Sequence, residues 1–158
     1  MKKTNRTVRF ICYGAVIAAL YTVLTLISAA AGLSGGVIQF RISEALCILG
    51  VLTPAAIPGV ALGCMISNLV TGGVVWDIVF GSLASLIGML GVRAMRRWQW
   101  LAPAPYVAAN VIVVPLVLRW AYAAEGTIPY FALTVGIGEV VCALSLIHIS
   151  EPTRLDVI

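Results

Sequence analysis

The sequence predicts an all-α integral membrane protein of about six short helices. Three observations carry that expectation: the scarcity of charge, the lengths of the apolar runs and the placement of the basic residues. Apolar residues make up 61% of the chain and charged residues only 10%, against about 25% charged in a soluble domain. That is too little polar side chain to clothe a fold in water, and a bilayer removes the requirement. A helix crosses the hydrocarbon core with roughly 20 apolar residues, so the chain has length for about five or six crossings and none left for a soluble domain. The net charge of +4 is small and lies in patches beside apolar runs. Such patches suit anionic headgroups and topology control. A nucleic-acid reader needs a basic face in polar surroundings, and none is present.

The elements follow in order. Lys2, Lys3, Arg6 and Arg9 precede an apolar run from Phe10 to about Ala31. A cleaved signal peptide is the rival reading, with Ala29–Ala31 resembling a cleavage site, but the run exceeds the 7–15 residues of a usual signal core. It reads as an uncleaved first helix. Gly32, Gly35 and Gly36 then mark a loop to Gln39. The next apolar stretch, Ile42–Val70, is interrupted by Pro54 and Pro58 and reads as one kinked helix or as two short ones around Thr53–Pro54. After Gly72–Gly73, a helix is expected from about Asp77 to Val92. A basic loop with Arg93, Arg96 and Arg97 follows, flanked by the interface anchors Trp98 and Trp100. A fifth helix spans about Pro105 to Tyr122, and a sixth begins near Pro129.

The positive-inside rule resolves the ambiguous stretch. Both basic clusters belong on the cytoplasmic side, so an even number of crossings separates them. Ile42–Val70 is therefore expected as two short helices, giving six in all with both termini cytoplasmic. Arg119 runs against the rule by one charge.

Leu144–Arg154 reads LSLIHISEPTR. Its back-translation matches a transposase-type sequencing adapter, which predicts a six-helix domain over 1–143, its last helix truncated, and a non-native tail over 144–158. His148, the sole histidine, falls in that tail. Cys12, Cys47, Cys64 and Cys142 lie in apolar stretches without a CxxC pair and read as small apolar filler.

Charges inside membrane segments cost about 2.5–3.5 kcal/mol each on insertion scales, which makes them functional candidates. Arg41 and Glu44 lie three apart on one helical face, with Gln39 just before them. Asn68 ends the third helix, Trp76 and Asp77 open the fourth, and Glu139 lies deeper in the sixth. In the six-helix topology Gln39, Arg41, Glu44, Asn68, Trp76 and Asp77 reach the extracellular level together, as a pocket-like set of donors and acceptors. Each also admits a structural role. Arg41 and Glu44 can form an ion pair, Asp77 can complement the helix dipole, Asn68 can bridge helices, and Glu139 can pair with Arg119 or meet a ligand.

Ala15 and Ala19 are spaced as small-xxx-small, with Ala18 beside them, and Gly59 and Gly63 repeat the spacing; such faces admit close helix approach. The sequence has no GxxxxGK[ST] loop, so the chain does not itself hydrolyse ATP. It also lacks a nucleophile elbow and HExxH, so neither an enzyme nor a cofactor or metal site is expected.

At GVIQFRISEAL (Gly36–Leu46) the sequence resembles the QueT family of S-components, the substrate-binding subunits of energy-coupling factor transporters. The likeness continues through ALYTVLTL (Ala19–Leu26), PGVALGCMISNL (Pro58–Leu69) and WDIVFGSLAS (Trp76–Ser85), and covers about residues 10–143. The resemblance implies a substrate site near the extracellular face, a transmembrane T-component and two ATPase subunits as partners, and import of a queuosine precursor, a 7-deazaguanine base. It also implies that Ala15 and Ala19 dock on the T-component. The residues suit such a base. Glu44, or Asp77 or Glu139 in its place, accepts the adjacent N–H donors of one ring edge; Arg41, Gln39 or Asn68 donates to the carbonyl; Trp76 stacks on the ring. The rival function is a small oligomeric or channel-like membrane assembly without a ligand, held by the Gly/Ala faces.

Overall fold

The computed structural model describes residues 2–32, 41–98, 101–121 and 127–150. Every regular element among them is helical: α1 (Lys2–Ala30), α2 (Ile42–Leu52), α3 (Ala56–Val70), α4 (Val75–Ala94), α5 (Ala104–Trp120) and α6 (Ile128–Ser150). The all-α expectation of six helices holds. The basic N-terminus, expected ahead of the first helix, belongs to it. Lys and Arg are good helix formers, and no Gly or Pro interrupts the entry.

The prolines explain why Ile42–Val70 divides once rather than twice. Pro54 biases its predecessor to extended backbone, and Thr53 is extended (φ −136°, ψ 135°), which ends α2 at Leu52. Pro58 falls in the first turn of α3, where a missing N–H costs no intrahelical bond. At the other end of α3, Gly72 takes φ +75°. The Gly73 N–H donates to Asn68 O (2.8 Å) and the Gly72 N–H to Leu69 O (3.3 Å). This Schellman closure turns the chain straight into α4.

Glycines set how closely the helices approach. A Cβ on Gly59 would sit 2.9 Å from Gly14 O, and one on Gly63 would sit 2.7 Å from Tyr21 Cβ and 2.9 Å from Ala18 O. The small-xxx-small face of α3 is thus occupied by α1, which runs parallel to it. Gly50 of α2 packs on Met89 and Val92 of α4, and Gly88 and Gly91 of α4 on Tyr106 and Pro105 of α5. The resulting core holds Tyr21, Cys47, Val60, Cys64, Met89 and Tyr106. Ala18 is buried in the α1–α3 contact, whereas Ala15 and Ala19 stay exposed.

The outer surface is apolar. Leu20, Leu62, Leu69, Leu83, Ile112 and Leu133 all stand exposed, an arrangement that lipid tolerates and water does not. Asn5–Ala30 and Val75–Ala94 are long and apolar enough to cross a bilayer, and α2, α3, α5 and the Ile128–Cys142 part of α6 are shorter apolar helices. Arg93 donates to Val51 O (3.0 Å) at the end of α2, so the basic end of α4 lies at the bundle end from which α1 starts. Arg41, Asn68 and Asp77 lie at the opposite end.

Candidate functional site

Residues 42–48 of α2 are wound as a 3-10 helix, longer than the usual 3–4 residues and of a kind that often marks a functional segment. Residues three apart are eclipsed in such a helix, so Glu44 and Cys47 point the same way, inward, and both are buried. Hydroxyls of α1 hold this segment in place. Ser28 Oγ accepts the Ile42 N–H (3.2 Å), which has no partner within its own helix. The hydroxyls of Thr25 and Ser43 lie 2.8 Å apart.

Glu44 is the centre of the site. Tyr21 of α1 donates its phenol to Glu44 Oε1 (2.8 Å), and Tyr106 of α5 donates to Oε2. Ser85 Oγ of α4 lies 3.4 Å from the Tyr106 hydroxyl. Two helices, α1 and α5, therefore reach the carboxylate directly and α4 backs it through Tyr106; Glu44 is only 6% exposed. Beside it lies a narrow cavity lined by Arg41, Glu44, Val114, Val135, Gly138 and Glu139, with about 20 Å³ of water-sized space. Such a volume holds a water or two; a bicyclic base requires the walls to part. Glu139 is buried and accepts from Asn110 Nδ2 (2.8 Å).

The sequence candidates sort into three groups. Arg41, Glu44 and Glu139 share the cavity. Asp77 joins them through Arg41, its carboxylate 3.9 Å from the guanidinium. The ion pair found among the described residues is thus Arg41–Asp77; Glu44 is held by phenols. Glu139, for which Arg119 and a ligand were the alternatives, lines the cavity with Asn110 as its donor.

Asn68 and Trp76 are not brought to the cavity. The Asn68 amide donates to Asp77 O (3.3 Å) and lies 3.8 Å from Cys64 Sγ, so it ties α3 to α4. Trp76 is 59% exposed and stacks on Phe80 with ring centroids 5.8 Å apart. It adjoins Asp77 in sequence, but neighbours on a helix point about 100° apart. Gln39 lies outside the described residues.

Tyr21, Tyr106, Ser85 and Asn110 are site residues that the sequence reading missed. Asn110 was detectable, since an amide in an apolar helix is a suspect by the same rule as Glu139. The tyrosines carried no such signal, because phenols are ordinary in membrane helices and their partner lies on another helix.

An all-helical bundle, apolar outside and charged within, has the make-up of a membrane transport protein. The chain belongs to the QueT transporter family, whose profile matches residues 11–150. It is 38% identical over 87 residues to the queuosine precursor transporter QueT of Lactococcus lactis subsp. cremoris (strain MG1363), a match covering 54% of this chain and 50% of that protein. The chain thus spans about half the length of the curated relative it matches. No solved structure matches it.

Proposed function

We propose that this chain is the substrate-binding membrane subunit of an energy-coupling factor importer and that it captures a queuosine precursor, a 7-deazaguanine base. The observation that carries this reading is the Glu44 carboxylate, clamped by Tyr21 and Tyr106 at the wall of a cavity it shares with Arg41 and Glu139. Each carboxylate oxygen keeps a second acceptor site after taking one phenol. The pair is therefore set to receive two adjacent N–H donors of a guanine-like edge, while Arg41 donates to its carbonyl. Catalysis has no part in this role.

In this reading the chain crosses the membrane six times, with both termini in the cytoplasm and the Arg41–Asp77 end outside. Ala15 and Ala19, left exposed on α1, offer a close-approach face to a T-component, which with two ATPase subunits supplies the driving force. Residues 144–158 are read as adapter-derived, although α6 runs on to Ser150 and the family profile matches to residue 150; sequencing the genomic locus is expected to find other residues after Ala143, and recovering the same codons there would reject that reading.

Calorimetry on the purified full chain is expected to show binding of a 7-deazaguanine base. A hydrogen bond to a charged group contributes about 1.5–3 kcal/mol, so Glu44→Ala is expected to weaken binding by about tenfold or more. Undiminished affinity in that variant would remove Glu44 from the site.

A further inference from the structure

The inner end of α2 is finished by a residue of another helix. A helix leaves its last carbonyls without intrahelical donors, and the chain that follows α2 does not supply them. Pro54, four residues beyond Gly50, has no N–H. The Ala55 N–H, four residues beyond Val51, donates instead to Thr53 Oγ1 (3.3 Å). Those of Ala56 and Ile57 go to Thr53 O and Pro54 O. Arg93, in the last turn of α4, fills the gap. Its Nη1 donates to Val51 O (3.0 Å) and lies 3.5 Å from Gly50 O. A cation at a helix C-terminus also complements the dipole there. At the same level a Cβ on Gly50 would meet Met89 and Val92 of α4 at 2.9 and 3.0 Å. At the outer end the roles reverse, and α2 lends Arg41 to Asp77 of α4, 3.9 Å away. The two parallel helices are thus clasped at both ends. α2 depends on the clasp. Seven of its residues are 3-10 and only four α-helical; 3-10 hydrogen bonds have poor geometry, and so short a helix does not hold itself.

We infer that Arg93 is a positioning residue for the site at the opposite end of the bundle. By capping α2 it fixes the depth and rotation at which Glu44 meets Tyr21 and Tyr106. Arg93 acts on Glu44 through the helix between them, so the basic inner face and the outer site are mechanically joined. The effect on ligand binding rests on the function proposed above; the hold on α2 does not. Cys47 reports on that hold. It follows Glu44 by one 3-10 turn, faces the same way, and is 1% exposed. Cys64 of α3 is equally buried and serves as the control for general loosening.

The purified full chain is treated with methyl methanethiosulfonate, a small membrane-permeant thiol reagent, and the rate at each cysteine is read by peptide mass spectrometry. Arg93→Met keeps an apolar stem and loses the donors. In that variant Cys47 is expected to react about fivefold faster or more, while Cys64 stays within about twofold of its wild-type rate. Arg93→Lys restores donors and is expected to return Cys47 to within about twofold of wild type. An unchanged Cys47 rate in Arg93→Met, a matching rise at Cys64, or a lysine variant as reactive as the methionine one would overturn the inference. Calorimetry with a 7-deazaguanine base supplies the second arm. Affinity is expected to fall about threefold or more in Arg93→Met and to recover in Arg93→Lys. A released Cys47 with wild-type affinity would overturn the link to Glu44. Failure of the wild-type protein to bind the base would overturn the proposed ligand, and the Cys47 rates would still decide whether Arg93 holds α2.

Discussion

The two walls of the cavity are built to different tolerances. On the Glu44 side, α1, α3, α4 and the start of α5 meet at glycines with no room for a methyl group: Gly63 against Tyr21 and Ala18, and Gly88 against Tyr106 at 2.8 Å. On the Glu139 side, α6 meets α5 at Gly136, where a Cβ would find Val111 at an ordinary 3.4 Å. Asn110 of α5 ties to Glu139 of α6 by a hydrogen bond. One wall therefore holds its carboxylate by close backbone packing, and the other holds its own more loosely. A cavity with water-sized space of about 20 Å³ must widen to take the proposed base, and the α6 side is where widening disturbs least. On the proposed function, preorganised recognition and room for entry fall to different walls.

The largest expected effect falls on the tight wall. Gly63→Ala forces a methyl group into Tyr21 and the Ala18 carbonyl, and overpacking of this kind costs about 1–3 kcal/mol. The thermal midpoint of the detergent-solubilised protein should fall by several degrees, and an unchanged midpoint would mean that α1 and α3 are not locked together. Next comes Tyr106→Phe, which removes one donor from Glu44. Affinity for a 7-deazaguanine base should fall about tenfold, in line with a hydrogen bond to a charged group; wild-type affinity would show that the phenol does not orient the carboxylate. The smallest effect is expected on the loose wall. Gly136→Ala meets ordinary contact distances and gains up to about 1 kcal/mol of helix propensity. Its midpoint should stay or rise, and a drop matching that of Gly63→Ala would erase the contrast between the walls.

Much of this molecule was legible in its sequence. Long apolar runs with few charges could form only helices in lipid, because every backbone polar group there needs a partner within the segment. Gly72 and Pro54 marked two of the helix ends, and the spacing of the basic clusters resolved the break in Ile42–Val70. Arg41, Glu44, Asp77 and Glu139 stood out because a bilayer penalises such residues. Trp76 stands apart from the cavity, since one residue along a helix turns a side chain from interior to surface. Asn68 bridges α3 and α4, a junction that an amide serves as readily as a ligand.

Sequence alone determined the solvent this chain folds in and the few ionisable groups it must shelter there, because hydropathy and charge are properties of residues one at a time. Only the tertiary structure decided which of those groups share a cavity and which hydroxyls hold them. That choice depends on the rotation and depth of each helix, and glycine contacts between segments distant in the chain set both. Glu44 meets Tyr21, Tyr106 and Glu139 across four helices, and no local pattern along the chain encodes that meeting.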